Sequence, residues 1–365
     1  MTTGQPGAAR PVIAVRAGMA GLVLALLPTL ALASEVRTSA GVMRIAPVVE
    51  ELDEPWALAF LPGGEILVTE RDGRLTRHPA TGGAGAEVSG LPEVRTGGQG
   101  GLFDVLVPAD FAAAGEILIS YAAETGDGIG TTVAVARLDG TVLRDLRVLW
   151  QMRDGGSTTR HYGGRLAEGP DGAIYLTTGE RGLGAPAQDA GSGIGAVIRI
   201  PREGGGGTVV SHGHRNPQGL AFDAGGQLWL SEHGARGGDE VNLIREGANY
   251  GWPEVSHGTN YDGTPFPGGA TRADVEPPAH YWDPSIAPSG HMVLRGAGIP
   301  DWAGDHFVGS LKFDYIARLD PATWEEERIE APETGRVRDI REGPDGAIWF
   351  LSVNDGVLYR MAPER

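Results

Sequence analysis

The chain contains no cysteine in its 365 residues. Whatever compartment it folds in, it closes without disulfides. A covalently attached c-type haem, which needs a Cys-x-x-Cys-His run, is excluded as well. Positive charge is scarce: 30 Lys and Arg against 47 Asp and Glu give a formal net charge of −17. Such a surface repels nucleic acid and anionic membranes. Helical periodicity is almost absent, and long apolar runs are confined to the N-terminus.

That one run has the form of a processing segment. Arg10 and Arg16 give a charged start without acids, Ala17 to Leu32 is apolar, and Ala31-Leu32-Ala33 fits a small-x-small cleavage site. Residues 1–33 are therefore expected to be a signal peptide and residues 34–365 the mature, periplasmic or secreted domain. A retained membrane anchor is disfavoured because the run is short and holds Pro28. The two arginines are not adjacent, so a twin-arginine signal is not supported.

What the rest of the chain does have is a repeat: an apolar triplet, a Gly-containing turn, then a second apolar strand. It reads LAFLPGGEILVTE from Leu58, RLAEGPDGAIYLTTGE from Arg165, LAFDAGGQLWLSE from Leu220 and DIREGPDGAIWFLS from Asp339. Two looser copies start at Val105 and Met292. The glycine opening each second strand is Gly64, Gly115, Gly172, Gly226, Gly304 and Gly346. Six units of roughly 50 residues predict an all-β, six-bladed propeller of four-stranded antiparallel blades. A β-sandwich would not explain the repeat. Val42 to Val49 is expected to close the ring by joining the last blade. The Pro- and Gly-rich stretch Gly258 to Pro278 is expected to be an insertion, and the strand at His306 is the least regular of the six.

In a propeller, equivalent positions form rings about the axis. His161 and Arg215 each lie 11 residues before their turn glycine and Arg336 lies 10 before. Gln99 precedes its strand through a longer connection. Glu180, Gly234 and Lys312 each lie 8 residues after their glycine. These residues should meet at one end. His161, Arg215, Lys312, Arg336 and Arg338 around one pocket imply a multiply anionic ligand, and the arginine fork suits carboxylates. The Gly-rich loop from Glu232 to Glu240 offers carbonyl and carboxylate oxygens suited to calcium. His212 and His214 form an H-x-H pair, but a zinc site lacks a third ligand. Trp56, Trp229 and Trp349 read as packing.

The segments GGQGGLFD around Gln99, HYGGRL from His161, GHRNPQGLAF around Arg215, EHGARGGDEVNLI from Glu232, NYGWP from Asn249 and RVRDIREGPDG from Arg336 resemble the soluble, pyrroloquinoline-quinone-dependent aldose sugar dehydrogenases of the glucose/sorbosone dehydrogenase family. The resemblance implies a propeller with the quinone (PQQ) near its axis and His161 as general base, supported by Glu180. It implies that Gln99, Arg215, Asn216, Lys312, Arg336 and Arg338 hold the cofactor, with Tyr261 lining the same pocket. Gly234 and Ala235 would offer carbonyl oxygens to a calcium ion, and Glu240 with the Tyr250 carbonyl would hold a further one. An aldose substrate and a separate electron acceptor follow, with no nucleic acid and no membrane span in the mature chain. Arg160, beside His161, departs from the amide or acid that relatives often carry. A calcium-dependent propeller lactonase would want Asp, Glu and Asn at the axis instead of this cationic cluster. A non-catalytic binding propeller would have no use for His161.

Overall fold

The computed structural model describes residues 1–4 and 33–364; the expected leader lies almost wholly outside them. From Ser34 onward the chain is nearly all β. No helix among the described residues is long and apolar enough to cross a membrane.

The strands form six antiparallel sheets, each a blade. Blade one is Pro55–Phe60, Ile66–Glu70, Arg74–His78 and Ala86–Glu87; blade two begins with Leu102–Leu106 and Glu116–Thr125. Blade three begins with Gly163–Glu168 and Ile174–Thr178, and blade four with Pro217–Phe222 and Leu228–Glu232. Blade five begins with Pro288–Val293 and His306–Ser310, and blade six with Val337–Glu342 and Ile348–Ser352. The first strands of successive blades pack against one another around the axis, and that of blade six meets that of blade one.

All six expected hairpins form. The six turn glycines carry φ between 66° and 94°, a left-handed backbone that only glycine adopts freely. The second strands are buried on both faces: Ile66, Leu67 and Val68 are each fully buried. At about 1.5–3 kcal/mol per large aliphatic side chain, such triplets drive blade packing. The His306 strand, irregular in sequence, is regular and wholly buried, with His306 Nδ1 2.9 Å from His291 Nε2. The expected insertion is the long connection between Asp239–Leu243 and His280–Trp282 of blade four.

Closure occurs as expected: Gly41–Val49 pairs with Val357–Pro363 of blade six. The structure departs from uniform four-stranded blades in one place. Ser34–Thr38 adds a fifth strand outside Gly41–Val49. The turn after it is tied to blade five, where Ser39 N donates to Glu327 Oε1 at 2.7 Å.

Each first strand has a bulge near its start, between Pro55/Ala57, Leu102/Val105, Gly163/Leu166, Pro217/Gly219, Ser289/His291 and Val337/Asp339. Bulges redirect side chains. In three blades a hydroxyl on the second strand spans the bulge and latches the next blade. Thr69 Oγ1 accepts from Ala57 N and donates to the Phe103 carbonyl of blade two at 2.6 Å. Ser120 links Asp104 N to the Gly164 carbonyl in the same way. Thr177 links Arg165 N to the Pro217 carbonyl. These contacts fix the inner ends of the strands, where the candidate site lies.

Candidate active site

A cavity of about 280 Å³ opens on the axis; Gln99, Asn216, Arg336 and Arg338 line it, while His161 and Arg215, expected in the same ring, lie outside its lining. Residues just before the inner strands adopt left-handed backbone: Glu54 (φ 44°), His161 (53°), Ala287 (56°) and Arg336 (50°). Non-glycine residues hold that conformation at a cost of about 1–3 kcal/mol, a strain concentrated at functional sites.

His161 is almost fully buried at this end. Its amide donates to Gln99 Oε1 at 2.7 Å, and its Nδ1–H donates to the buried Glu180 carboxylate. Glu180 is held in turn by Gly184 N at 2.6 Å. Nδ1 is thereby committed, and no described residue bonds Nε2. Burial pushes the His161 pKa down, the Glu180 hydrogen bond opposes this, and the Arg215 and Arg160 charges lower it further. Arg160, the departure noted in sequence, thus favours the neutral ring. Below it, the fully buried Arg181 donates to the carbonyls of Thr158, Gly155 and Arg160, stiffening the loop that carries His161.

Arg215 is buried beside the cavity wall. Its Nη2 donates to Tyr261 Oη at 3.0 Å and Nη1 to the His233 carbonyl at 3.5 Å. Tyr261 itself is 72% exposed and Lys312 is exposed too, its ammonium 4.8 Å from the Phe313 ring centre. Both therefore sit at the rim and not in the cavity wall, unlike the expectation for Tyr261. Amphipathic side chains on surface loops keep their polar ends near water. Lys312 still adjoins the wall through Leu311, whose carbonyl accepts from Arg336 Nη1 at 3.0 Å.

Arg336 and Arg338 make no ion pair among the described residues. The one carboxylate in the cavity lining, Glu54, pairs with Arg71 at 2.5 Å. The wall is thus a set of uncompensated guanidiniums with amide donors from Gln99 and Asn216. That donor set fits a planar polycarboxylate, and it is not the acidic ring that a calcium lactonase requires.

The oxygen-rich loop lies next door. Gly234, Glu240 and Tyr250 border one hollow of about 10 Å³, together with Glu232 and Arg215. This is about the room that one water or ion needs. Ala235, one residue on, bridges Gly237. A Cβ at Gly234 would stand 2.3 Å from the Gly237 carbonyl oxygen and 2.4 Å from that of Gly238, so only glycine lets these carbonyls close on it. Burial and the adjacent Glu232 push the Glu240 pKa up to about 8. Its bonded neighbour is an amide, Asn242 Nδ2 at 3.2 Å, and it makes no ion pair among the described residues. Carboxylate and carbonyl oxygens are the ligands a hard divalent cation takes, and Arg215 borders the same hollow. No cluster of three or more His, Asp or Glu side chains among the described residues could hold a metal, so any ion here would lean on backbone oxygen. The H-x-H pair does not form a zinc site: both ring nitrogens of His214 are bonded, to Glu232 and Ser211.

Trp56, read from sequence as packing, also lines the cavity, as do Phe103, Gln218, Arg71 and His233. A signal for three of them was present. Trp56, Phe103, Gln218 and Arg338 are each the second residue of an innermost strand, so one repeat position supplies much of the wall. His233 is a poor base: its Nε2–H donates to the Pro288 carbonyl at 2.9 Å, and burial with the Arg215 and Arg338 charges pushes its pKa down to about 3.

Known proteins can now be set beside this geometry. The Glucose / Sorbosone dehydrogenase family profile matches residues 52–360. The chain belongs to this family. It is 36% identical over 363 residues to the aldose sugar dehydrogenase YliI of Escherichia coli K12, covering 93% of this chain and 98% of that protein. A crystal structure titled glucose dehydrogenase superposes with a TM-score of 0.83 at 35% identity, covering 88% of this chain and 99% of the other. The PQQ-bound aldose sugar dehydrogenase of Streptomyces coelicolor superposes with a TM-score of 0.75 at 25% identity, covering 88% and 98%. The expected family and the expected propeller are both borne out.

Proposed function

We propose that this sugar dehydrogenase is PQQ- and calcium-dependent and oxidises aldoses at the anomeric carbon to lactones. The observation that carries the reading is the pairing of an uncompensated cationic wall with a neutral, carboxylate-held histidine at one mouth. His161 Nε2 accepts the proton of the anomeric hydroxyl. Glu180 holds Nδ1–H, which leaves Nε2 as the acceptor nitrogen, and stabilises the imidazolium that forms. Burial and the Arg215 charge keep the resting ring unprotonated.

Gln99, Asn216, Arg336 and Arg338 would hold the carboxylates of the quinone from the wall, Arg215 from beside it, and Tyr261 and Lys312 from the rim. When bound, that group supplies an electrophilic two-electron acceptor for the anomeric hydride. Loss of that hydride and of the hydroxyl proton leaves the lactone. The Gly234 and Ala235 carbonyls would hold one calcium ion, and Glu240 with the Tyr250 carbonyl a second. The reduced site must pass its electrons to a separate acceptor, since a haem bound through cysteine is impossible here. An apolar leader of the kind read at residues 17–32 would direct this chemistry to the periplasm or outside the cell.

The test is reconstitution of purified apoprotein. Dye-linked aldose oxidation should require added PQQ and calcium together, and chelation should lower the melting temperature, because a ligand bound only to the folded state stabilises it. Activity indifferent to both additions would refute the reading.

A further inference from the structure

Beneath the cavity the axis is closed by charge. The third residues of three innermost strands are Asp104, Arg165 and Asp339, one layer below the ring that holds Trp56 and Arg338. Arg165 is 1% exposed, the most buried arginine near the axis apart from Arg181. From blade three its guanidinium reaches four other blades. Nη1 lies 2.9 Å from Asp339 Oδ1 of blade six and 4.0 Å from Asp104 Oδ2 of blade two. Nε donates to the Gln218 carbonyl of blade four at 2.7 Å. Nη2 donates at 2.7 Å to the carbonyl of Arg338 itself. Its Cζ stands 4.0 Å from the ring centre of Trp56 in blade one. Arg341 completes the charge balance: it contacts Asp104 and Asp339, each at 3.1 Å.

The two arginines of this plug have different neighbours. Arg341 contacts the aspartates and makes no bond to a cavity residue. Arg165 contacts the same aspartates, but also the backbone of Arg338, the face of Trp56 and the backbone of Gln218, three residues that line the cavity. The Arg338 guanidinium lies over the same Trp56 ring at 4.7 Å.

We propose that Arg165 is a positioning residue: it sets the Arg338 guanidinium and the Trp56 ring that form the floor of the anion site, over and above its part in the buried ion network. This rests on the reading of the cavity as a quinone site. A lysine could keep the charge opposite Asp339, but it has no planar fork to bond two carbonyls and cover an indole face together.

The test compares Arg165→Lys with Arg341→Gln, each removing part of the same network. PQQ binding to apoprotein is followed by calorimetric titration without sugar. Arg165→Lys should weaken binding at least tenfold, whereas Arg341→Gln should stay within about threefold of wild type despite a lower melting temperature. The near-ultraviolet circular dichroism of the apoprotein should lose, in Arg165→Lys, the same band that Trp56→Phe loses, and keep it in Arg341→Gln. Should Arg165→Lys fail to fold, Arg165→Met combined with Asp339→Asn removes the charge pair as a unit, which buried pairs often tolerate; the same tenfold loss is expected. Wild-type affinity in the Arg165 variant, or an equal loss in Arg341→Gln, overturns the proposal and leaves the quinone reading standing. Failure of the wild type itself to bind PQQ removes the quinone reading.

Discussion

Two histidine–glutamate pairs occupy successive blades. In blade three, His161 Nδ1 donates to Glu180; in blade four, His214 Nδ1 donates to Glu232 at 2.7 Å. The pairs are 19 and 18 residues apart in sequence. They differ in the second nitrogen. His214 Nε2 accepts from Ser211 Oγ at 2.8 Å, and its ring stacks on Tyr250 with centroids 4.6 Å apart, with no exposure at all. His161 Nε2 is bonded by no described residue, and its side chain keeps 11% exposure. A carboxylate-held imidazole is thus closed off in blade four and left with an unoccupied far nitrogen in blade three, which is what the base proposed for His161 requires. Both partner carboxylates also take a backbone N–H, Glu180 from Gly184 and Glu232 from Arg215 at 2.7 Å, and the second of these holds the loop of the cationic wall.

The largest effect that can break this comparison is on chemistry. His161→Ala should reduce the single-turnover rate of bound-quinone reduction by excess aldose about 10²–10⁴-fold, the usual contribution of a general base, with quinone affinity little changed. His214→Ala should leave that rate within a few-fold, and instead cost roughly 1–3 kcal/mol of stability by leaving Glu232 and Ser211 short of partners in the interior. Equal rates for wild type and His161→Ala, or a rate collapse in His214→Ala, would reverse the assignment.

A smaller effect separates the two carboxylates. Burial and nearby arginines hold the His161 pKa below the ordinary value of about 6.5, and Glu180 works against them. The base acts when neutral, so activity is lost as pH falls through that lowered pKa, and the acid limb should lie below pH 6.5. Glu180→Gln removes the charge that favours imidazolium. The acid limb should move to still lower pH while the plateau rate drops, because the imidazolium formed in the reaction loses its counter-charge. Glu232→Gln should leave the limb in place. A profile for Glu180→Gln that shifts upward, or does not shift, would show that Glu180 only packs.

The sequence carried the blades because each blade is a local object. Apolar triplets such as Ile66 to Val68 and a glycine at the turn are read within a dozen residues. It brought Gln99, Arg336 and Arg338 to the cavity wall because ring position follows from the repeat, whereas Asn216 came from the family resemblance. The fifth strand was not legible: Ser34 to Thr38 alternates partly and fully exposed residues, and its neighbour is set by the closed ring. The axial plug was hidden for the same reason. Arg165 and Asp339 meet across the axis from blades three and six, and charged residues in strands ordinarily read as solvent-facing. Tyr261 and Lys312 mark the opposite limit. Position in the repeat placed the Lys312 backbone at the mouth but not its side chain, which lies on the rim.

Lys312 gives the smallest and most selective test. It is the chain's single lysine, so an amine-directed acylating reagent finds Lys312 and the terminal amine alone. Exposed ion pairs contribute about 0.2–1 kcal/mol, so acylation should weaken PQQ binding by no more than about fivefold, well short of the loss expected in Arg338→Ala. Bound quinone should in turn slow acylation of Lys312, measured by mass spectrometry of the tryptic peptides. Unchanged affinity together with unchanged labelling would confine the anion site to the buried wall of Gln99, Asn216, Arg336 and Arg338. A loss as large as that of Arg338→Ala would instead mean that the rim folds inward over its ligand, and that the exposed position of Lys312 is a property of the ligand-free protein alone.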